Sequence, residues 1–71
     1  MIFNARKERN MPVIRVEMFE GRTKEQKRAL AKELTAAFVN TAGGAPEQVH
    51  IVMTDVAKDD WAVAGKLSSD G

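Results

Sequence analysis

Pro12 stands directly ahead of the alternating run Val13-Ile14-Arg15-Val16-Glu17-Met18. Were the chain to begin at Pro12, its nitrogen would be a free secondary amine at the head of a strand. Such an amine is a general base. A free α-amine titrates at about pH 8, and apolar surroundings or neighbouring cations lower that toward neutrality, where a base works best in a cell. As an amide inside a longer chain the same nitrogen has no such basicity, and Pro12 then merely opens a strand, where its missing N–H is harmless. The choice turns on Met11, because bacterial methionine aminopeptidases remove an initiator Met that precedes Pro. Residues 1–10 carry no apolar periodicity, and Lys7-Glu8 can be encoded by the purine run of a bacterial ribosome-binding site placed two codons before Met11. We therefore expect residues 1–11 to be a leader absent from the mature protein, with residues 12–71 forming the domain.

Three further side chains stand out. Arg22 lies just before a helix start, so its guanidinium and the free N–H groups of the first helical turn can jointly hold a carboxylate; its alternative is a solvated surface arginine. Trp61, the one Trp of the chain, separates Lys58-Asp59-Asp60 from a small-residue segment and suits an interface anchor. His50 opens a strongly β-branched run and reads equally as a strand histidine hydrogen-bonded within an interface.

The elements that position these residues follow from periodicity. Residues 13–19 alternate, with Ile14, Val16 and Met18 on one face and Val13, Arg15, Glu17 and Phe19 on the other, which predicts a strand. Thr23-Lys24-Glu25-Gln26 is a capping box. Leu30, Leu34, Ala37, Phe38 and Thr41 then recur at helical spacing, and Gly43-Gly44 supplies the stop, so a helix is expected over about 24–41. After Pro46 the stretch Val49 to Thr54 is a second strand, apolar on both alternating sets, for which cover on both faces is expected. The segment Trp61 to Lys66 is a small hairpin or an arm that adds to a neighbour's sheet. Strand, capped helix and strand make a βαβ unit with parallel strands, an α+β fold with one short C-terminal hairpin.

Size constrains how this fold is stabilised. A 71-residue chain makes one domain, and one that small buries only about 60% of the surface its unfolded form exposes. With no Cys for a disulfide and no evident metal cage, association is the remaining source of stability, and the 44% apolar content supplies the surface for it. A homo-oligomer is expected. The 11 basic and 10 acidic side chains are interspersed, with no basic stripe to follow a phosphate backbone, which argues against nucleic acid as a partner. No apolar run reaches the roughly 20 residues of a bilayer span, and the first residues lack a secretory apolar core, so no membrane partner is expected and the cytoplasm is the expected compartment.

The Pro-headed strand, the Glu20-Gly21-Arg22-Thr23 turn, Glu25-Gln26-Lys27, the Thr54-Asp55 strand end and Ala62-Val63-Ala64-Gly65-Lys66-Leu67 together resemble the 4-oxalocrotonate tautomerase family over residues 12 to about 69. The resemblance implies small βαβ subunits assembled as dimers or hexamers, with sites at subunit interfaces. It also implies an amino-terminal Pro12 that moves a proton between oxygen and carbon of an enol or 2-keto acid, with no cofactor or metal. Arg22 matches the position that binds the distal carboxylate of a dicarboxylate substrate, and Trp61 matches the aromatic that walls the pocket. His50 departs from the pattern, since it falls where the family presents an Arg that binds and polarises the reacting end. A permanently charged bidentate donor is lost there. Arg15 on the first strand is one candidate replacement cation. This loss favours a monoacid or a broad substrate range, such as a 2-hydroxy-dienoate or the enol of an aryl-pyruvate. If the leader is retained, the same residues make a non-catalytic oligomer or a small-acid-binding module.

Overall fold

Ile14, Val16 and Met18 are β-branched or flexible apolar residues in strict alternation with Val13, Arg15 and Glu17, and together they form β1 (Val13–Phe19). The computed structural model describes residues 11–71; the expected leader, residues 1–10, lies outside the described residues. Gly21 at φ 123° turns the chain into α1 (Lys24–Ala42). A 3₁₀ turn at Pro46–Gln48 leads to β2 (His50–Val56), a second 3₁₀ turn occupies Lys58–Asp60, and β3 (Ala62–Val63) pairs with β4 (Lys66–Leu67). β1 and β2 are parallel, with Val13 opposite His50 and Phe19 opposite Val56, as a helical crossover between them requires. The ladder extends past both ends, through the His50 N–H to the Pro12 carbonyl at 2.9 Å and the Glu20 N–H to the Val56 carbonyl at 3.0 Å.

The helix starts where the capping box predicts. The Gln26 N–H donates to Thr23 Oγ1 at 3.1 Å, and the Thr23 N–H donates to Gln26 Oε1 at 2.9 Å. It ends at Gly43, whose φ of 86° is left-handed and whose N–H reaches the Val39 carbonyl at 3.1 Å. Thr23→Ala is expected to lower stability by about 1 kcal/mol, read as a fall in urea midpoint at fixed protomer concentration with an unchanged slope. An ion pair between Lys27 Nζ and Asp55 Oδ2 ties the first turns of α1 to the far end of β2; being partly exposed, it adds on the order of 0–1 kcal/mol.

Ile14, Val16 and Met18 face the helix together with Ile51 and Met53, their register partners being Ile51, Met53 and Asp55. On α1 the half-buried set is Lys27, Leu30, Ala31, Leu34, Thr35, Phe38 and Val39. Leu30, Leu34 and Phe38 are where periodicity predicts; Ala37 and Thr41 are exposed instead. Thr41 has its hydroxyl satisfied on its own helix, donating to the Ala37 carbonyl at 2.7 Å, so it gains nothing from facing the sheet. Met18, at 8% exposure, is the one buried apolar side chain among the described residues.

The opposite face of the sheet is open. Val13 is 52% and Val52 40% exposed, and Arg15, Glu17, His50 and Thr54 lie on the same face by alternation and register. Among the described residues no second layer covers this face of β2, so the expected cover on both faces is met on the helix side alone. A two-stranded sheet is not stable by itself. The hairpin turns through Ala64 at φ 54° and Gly65 at φ 80°, the positive-φ pair of a tight β-hairpin turn.

Candidate active site

Pro12 precedes β1 in the even-numbered alternation, so it lies on the helix side of the sheet and is half-buried. With Phe38, Ala42, Gly43, Gly44, Ala45 and Val49 it lines a cavity of about 200 Å³ at the carbonyl end of α1. The two glycines matter here: at φ 86° and 95° they carry the chain away from the helix and leave open space beside the proline. His50 adjoins Pro12 through the backbone alone. Its N–H holds the Pro12 carbonyl, while its side chain, in register with Val13, lies exposed on the other face of the sheet.

Arg22 and Trp61 gather at the opposite end of β1, and both do so on Phe19. Arg22 Nη1 donates to the Phe19 carbonyl at 3.0 Å. The Trp61 ring lies 4.6 Å from that of Phe19 with the planes inclined by 52°, a tilted pairing favoured by ring quadrupoles. Lys58 Nζ stands 5.8 Å from the centre of the Phe19 ring, within cation–π range. Sequence reasoning passed over Phe19 and Lys58. The signal available was register: Phe19 closes β1 opposite Val56, so whatever follows β2 by a few residues falls beside it.

One subunit thus places Pro12 and His50 at one end of β1 and Arg22 and Trp61 at the other, seven residues and roughly 23 Å apart at 3.3 Å per residue. A small acid cannot span that distance. Among the described residues no group of three or more His, Cys, Asp or Glu side chains converges as a metal site.

The sequence profile described as tautomerase enzyme matches residues 12–71, beginning at the proline and running to the last residue. The chain belongs to the tautomerase family. Tautomerases are isomerases, and the chain is one of them. It is 45% identical over 60 residues to a probable tautomerase of Halalkalibacterium halodurans, a match covering 84% of this chain and 98% of that protein. It is also 45% identical over 60 residues to the 2-hydroxymuconate tautomerase of Bacillus subtilis, covering 84% and 97% of the two chains. The crystal structure of YwhB, a homologue of 4-oxalocrotonate tautomerase, superposes with a TM-score of 0.82 at 43% identity, over 84% of this chain and 98% of that one. The βαβ unit with parallel strands and a short antiparallel hairpin is therefore the tautomerase fold. No helix among the described residues is long and apolar enough to cross a membrane.

Proposed function

We propose that this tautomerase is a cofactor-independent keto–enol isomerase of a small 2-hydroxy-dienoate or of the enol of a 2-keto acid, acting in the cytoplasm as a homo-oligomer, dimer or hexamer. Pro12 is its acid/base once residues 1–11 are gone. The observation that carries this reading is the place of Pro12, the first residue of the matched family segment and part of the wall of a cavity. The Bacillus subtilis relative bears the name 2-hydroxymuconate tautomerase, which supports a hydroxydienoate among its substrates.

In the proposed reaction the neutral amine takes the enol hydroxyl proton as the C–O bond becomes a carbonyl, and the electron pair moves along the conjugated carbons. The ammonium so formed returns a proton to carbon, and the amine is regenerated. Phe38, Ala42, Ala45 and Val49 around Pro12 disfavour the charged amine and so favour the base. The carbonyl end of α1, which Ala42 and Gly43 bring to the same cavity, opposes them by favouring the charged amine.

Because Pro12 lies roughly 23 Å from the Arg22 and Trp61 end of its own strand, the site is completed by a neighbouring subunit, whose Arg22 holds the substrate's distal carboxylate and whose Trp61 excludes water. His50 is assigned to the reacting end on the same basis, reaching it from the open sheet face of another subunit.

The test is ketonisation of 2-hydroxymuconate and of phenylpyruvate enol by the chain begun at Pro12, followed by ultraviolet absorbance. Arg22→Ala is expected to raise KM for 2-hydroxymuconate by about 10- to 100-fold, the loss of one hydrogen-bonded charge of about 1.5–3 kcal/mol, with a smaller change in kcat. Inactivity of the chain begun at Pro12 on both compounds would leave the non-catalytic, small-acid-binding reading, in which intact mass shows residues 1–11 retained.

A further inference from the structure

We infer that Lys58 is a second carboxylate-binding cation of the site, held in place by Phe19, and that the substrate end it reads carries a carboxylate. The inference rests on the tautomerase reading and names the substrate class of that site.

Phe19 organises three partners at once: its carbonyl takes Arg22, its ring packs at a tilt on Trp61, and its ring lies under the Lys58 ammonium. The Lys58–Asp60 turn fixes the spacing of the last two. The Asp60 N–H donates to the Ala57 carbonyl at 2.9 Å and the Trp61 N–H to the Lys58 carbonyl at 3.4 Å, so Lys58 and Trp61, three residues apart, fall on the same ring. An ammonium on a flexible four-carbon stem ordinarily samples many rotamers; resting on an aromatic face narrows them.

The charge is also available. The ion pairs among the described residues are Lys27 with Asp55 and Arg28 with Glu25, and neither Arg22 nor Lys58 has a carboxylate at that range among them. Arg22 uses one donor on the Phe19 carbonyl, which orients its fork and leaves its other N–H groups for a ligand. Two cations of different geometry are thus tied to Phe19, the planar one through its carbonyl and the point charge through its ring, which also packs on Trp61. That is the arrangement for a flat, conjugated chain ending in a carboxylate, the rings meeting the diene and the cations the anion. His50 in place of an Arg weakens the reacting end and favours monoacids; the Phe19 cluster points instead to a dicarboxylate gripped by its far end. Phe19 acts through its neighbours and is a positioning residue.

The experiment compares two probes that differ by one carboxylate, trans,trans-muconate and sorbate. Binding to the chain begun at Pro12 is read by quenching of Trp61, the one Trp of the chain. Lys58→Met is expected to weaken muconate about 5- to 10-fold and sorbate less than 2-fold, Lys58→Arg to restore muconate to within about 3-fold, and Phe19→Leu to reproduce the muconate loss while shifting the Trp61 emission to the red. Unchanged muconate affinity in Lys58→Met, or equal losses for both acids, overturns the inference. Ketonisation measured on the same preparations separates the two readings. Active protein with a Lys58-independent affinity keeps the tautomerase and removes this role, whereas inactive protein with the expected muconate loss keeps the role and removes the catalysis.

Discussion

The chain that retains residues 1–11 is expected to ketonise 2-hydroxymuconate about 10²- to 10⁴-fold more slowly than the chain begun at Pro12, the range a positioned general base contributes. The physical difference is one bond. With Met11 attached, the Pro12 nitrogen is a tertiary amide whose lone pair is delocalised into the carbonyl, and it neither accepts nor returns a proton at cellular pH. Removal of Met11 restores a secondary amine beside Phe38, Ala42 and Val49 without moving the strand, because the Pro12 carbonyl is already held by the His50 N–H. The pH profile distinguishes this from misfolding. Activity of the free form falls as pH drops through the amine's pKa, since the ammonium cannot accept the enol proton, and the blocked form shows no such limb. Pro12→Ala in the processed chain is expected to lie between the two, because it leaves a primary amine that is basic but rotates freely and is not held by a ring. A blocked chain as fast as the free one, with the same acid limb, would remove Pro12 from the mechanism.

The elements were legible because each carries its own local signal. Alternation set β1 at Val13–Phe19, and the Thr23 box and Gly43 set the helix at Lys24–Ala42, one residue longer than the stripe ending at Thr41 implies. β2 begins at His50 rather than Val49 and continues to Val56, because Pro46–Gln48 takes a 3₁₀ turn that periodicity does not reveal. The site was legible only as separate residues. Arg22 and Trp61 do meet, but through Phe19, whose role depends on where the chain returns after β2 and so on contacts far apart in sequence. The alternation of β2 shows that His50 and Pro12 point to opposite faces, a relation that needs the strand register as well as the sequence. What the sequence does carry about assembly is a surplus: more apolar side chains than one helix and two strands can cover.

That surplus underlies the second large effect, expected from Val52→Lys. Val52 is 40% and Val13 52% exposed on a sheet face that no described residue covers, and Met18 is the one buried apolar side chain among the described residues. In the proposed homo-oligomer a chain with so little interior gains stability from its neighbours, and the open face is the surface proposed for that purpose. A lysine at Val52 brings an ammonium onto that face beside Arg15, its register partner, so the new charge meets a like charge and no carboxylate directly across the ladder. Burying it between subunits is expected to cost about 3–5 kcal/mol, the scale of an unpaired buried charge, which raises the subunit dissociation constant by roughly 10²- to 10³-fold or more. Sedimentation should then find monomer at concentrations where the parent is oligomeric, and far-ultraviolet circular dichroism should show the monomer losing its cooperative melt. Val52→Thr separates charge from shape. It keeps the branched outline, adds a hydroxyl that can find a partner, and is expected to remain oligomeric. Activity reports on the same event independently. On the proposed shared site, with Pro12 and the Arg22–Trp61 pair roughly 23 Å apart in one chain, monomers would have no complete site, so the rate of Val52→Lys should rise steeply with protein concentration while that of Val52→Thr stays proportional to it. An unaltered assembly in Val52→Lys would mean that the open sheet face is not the interface, and the shared site would have to be built across another surface.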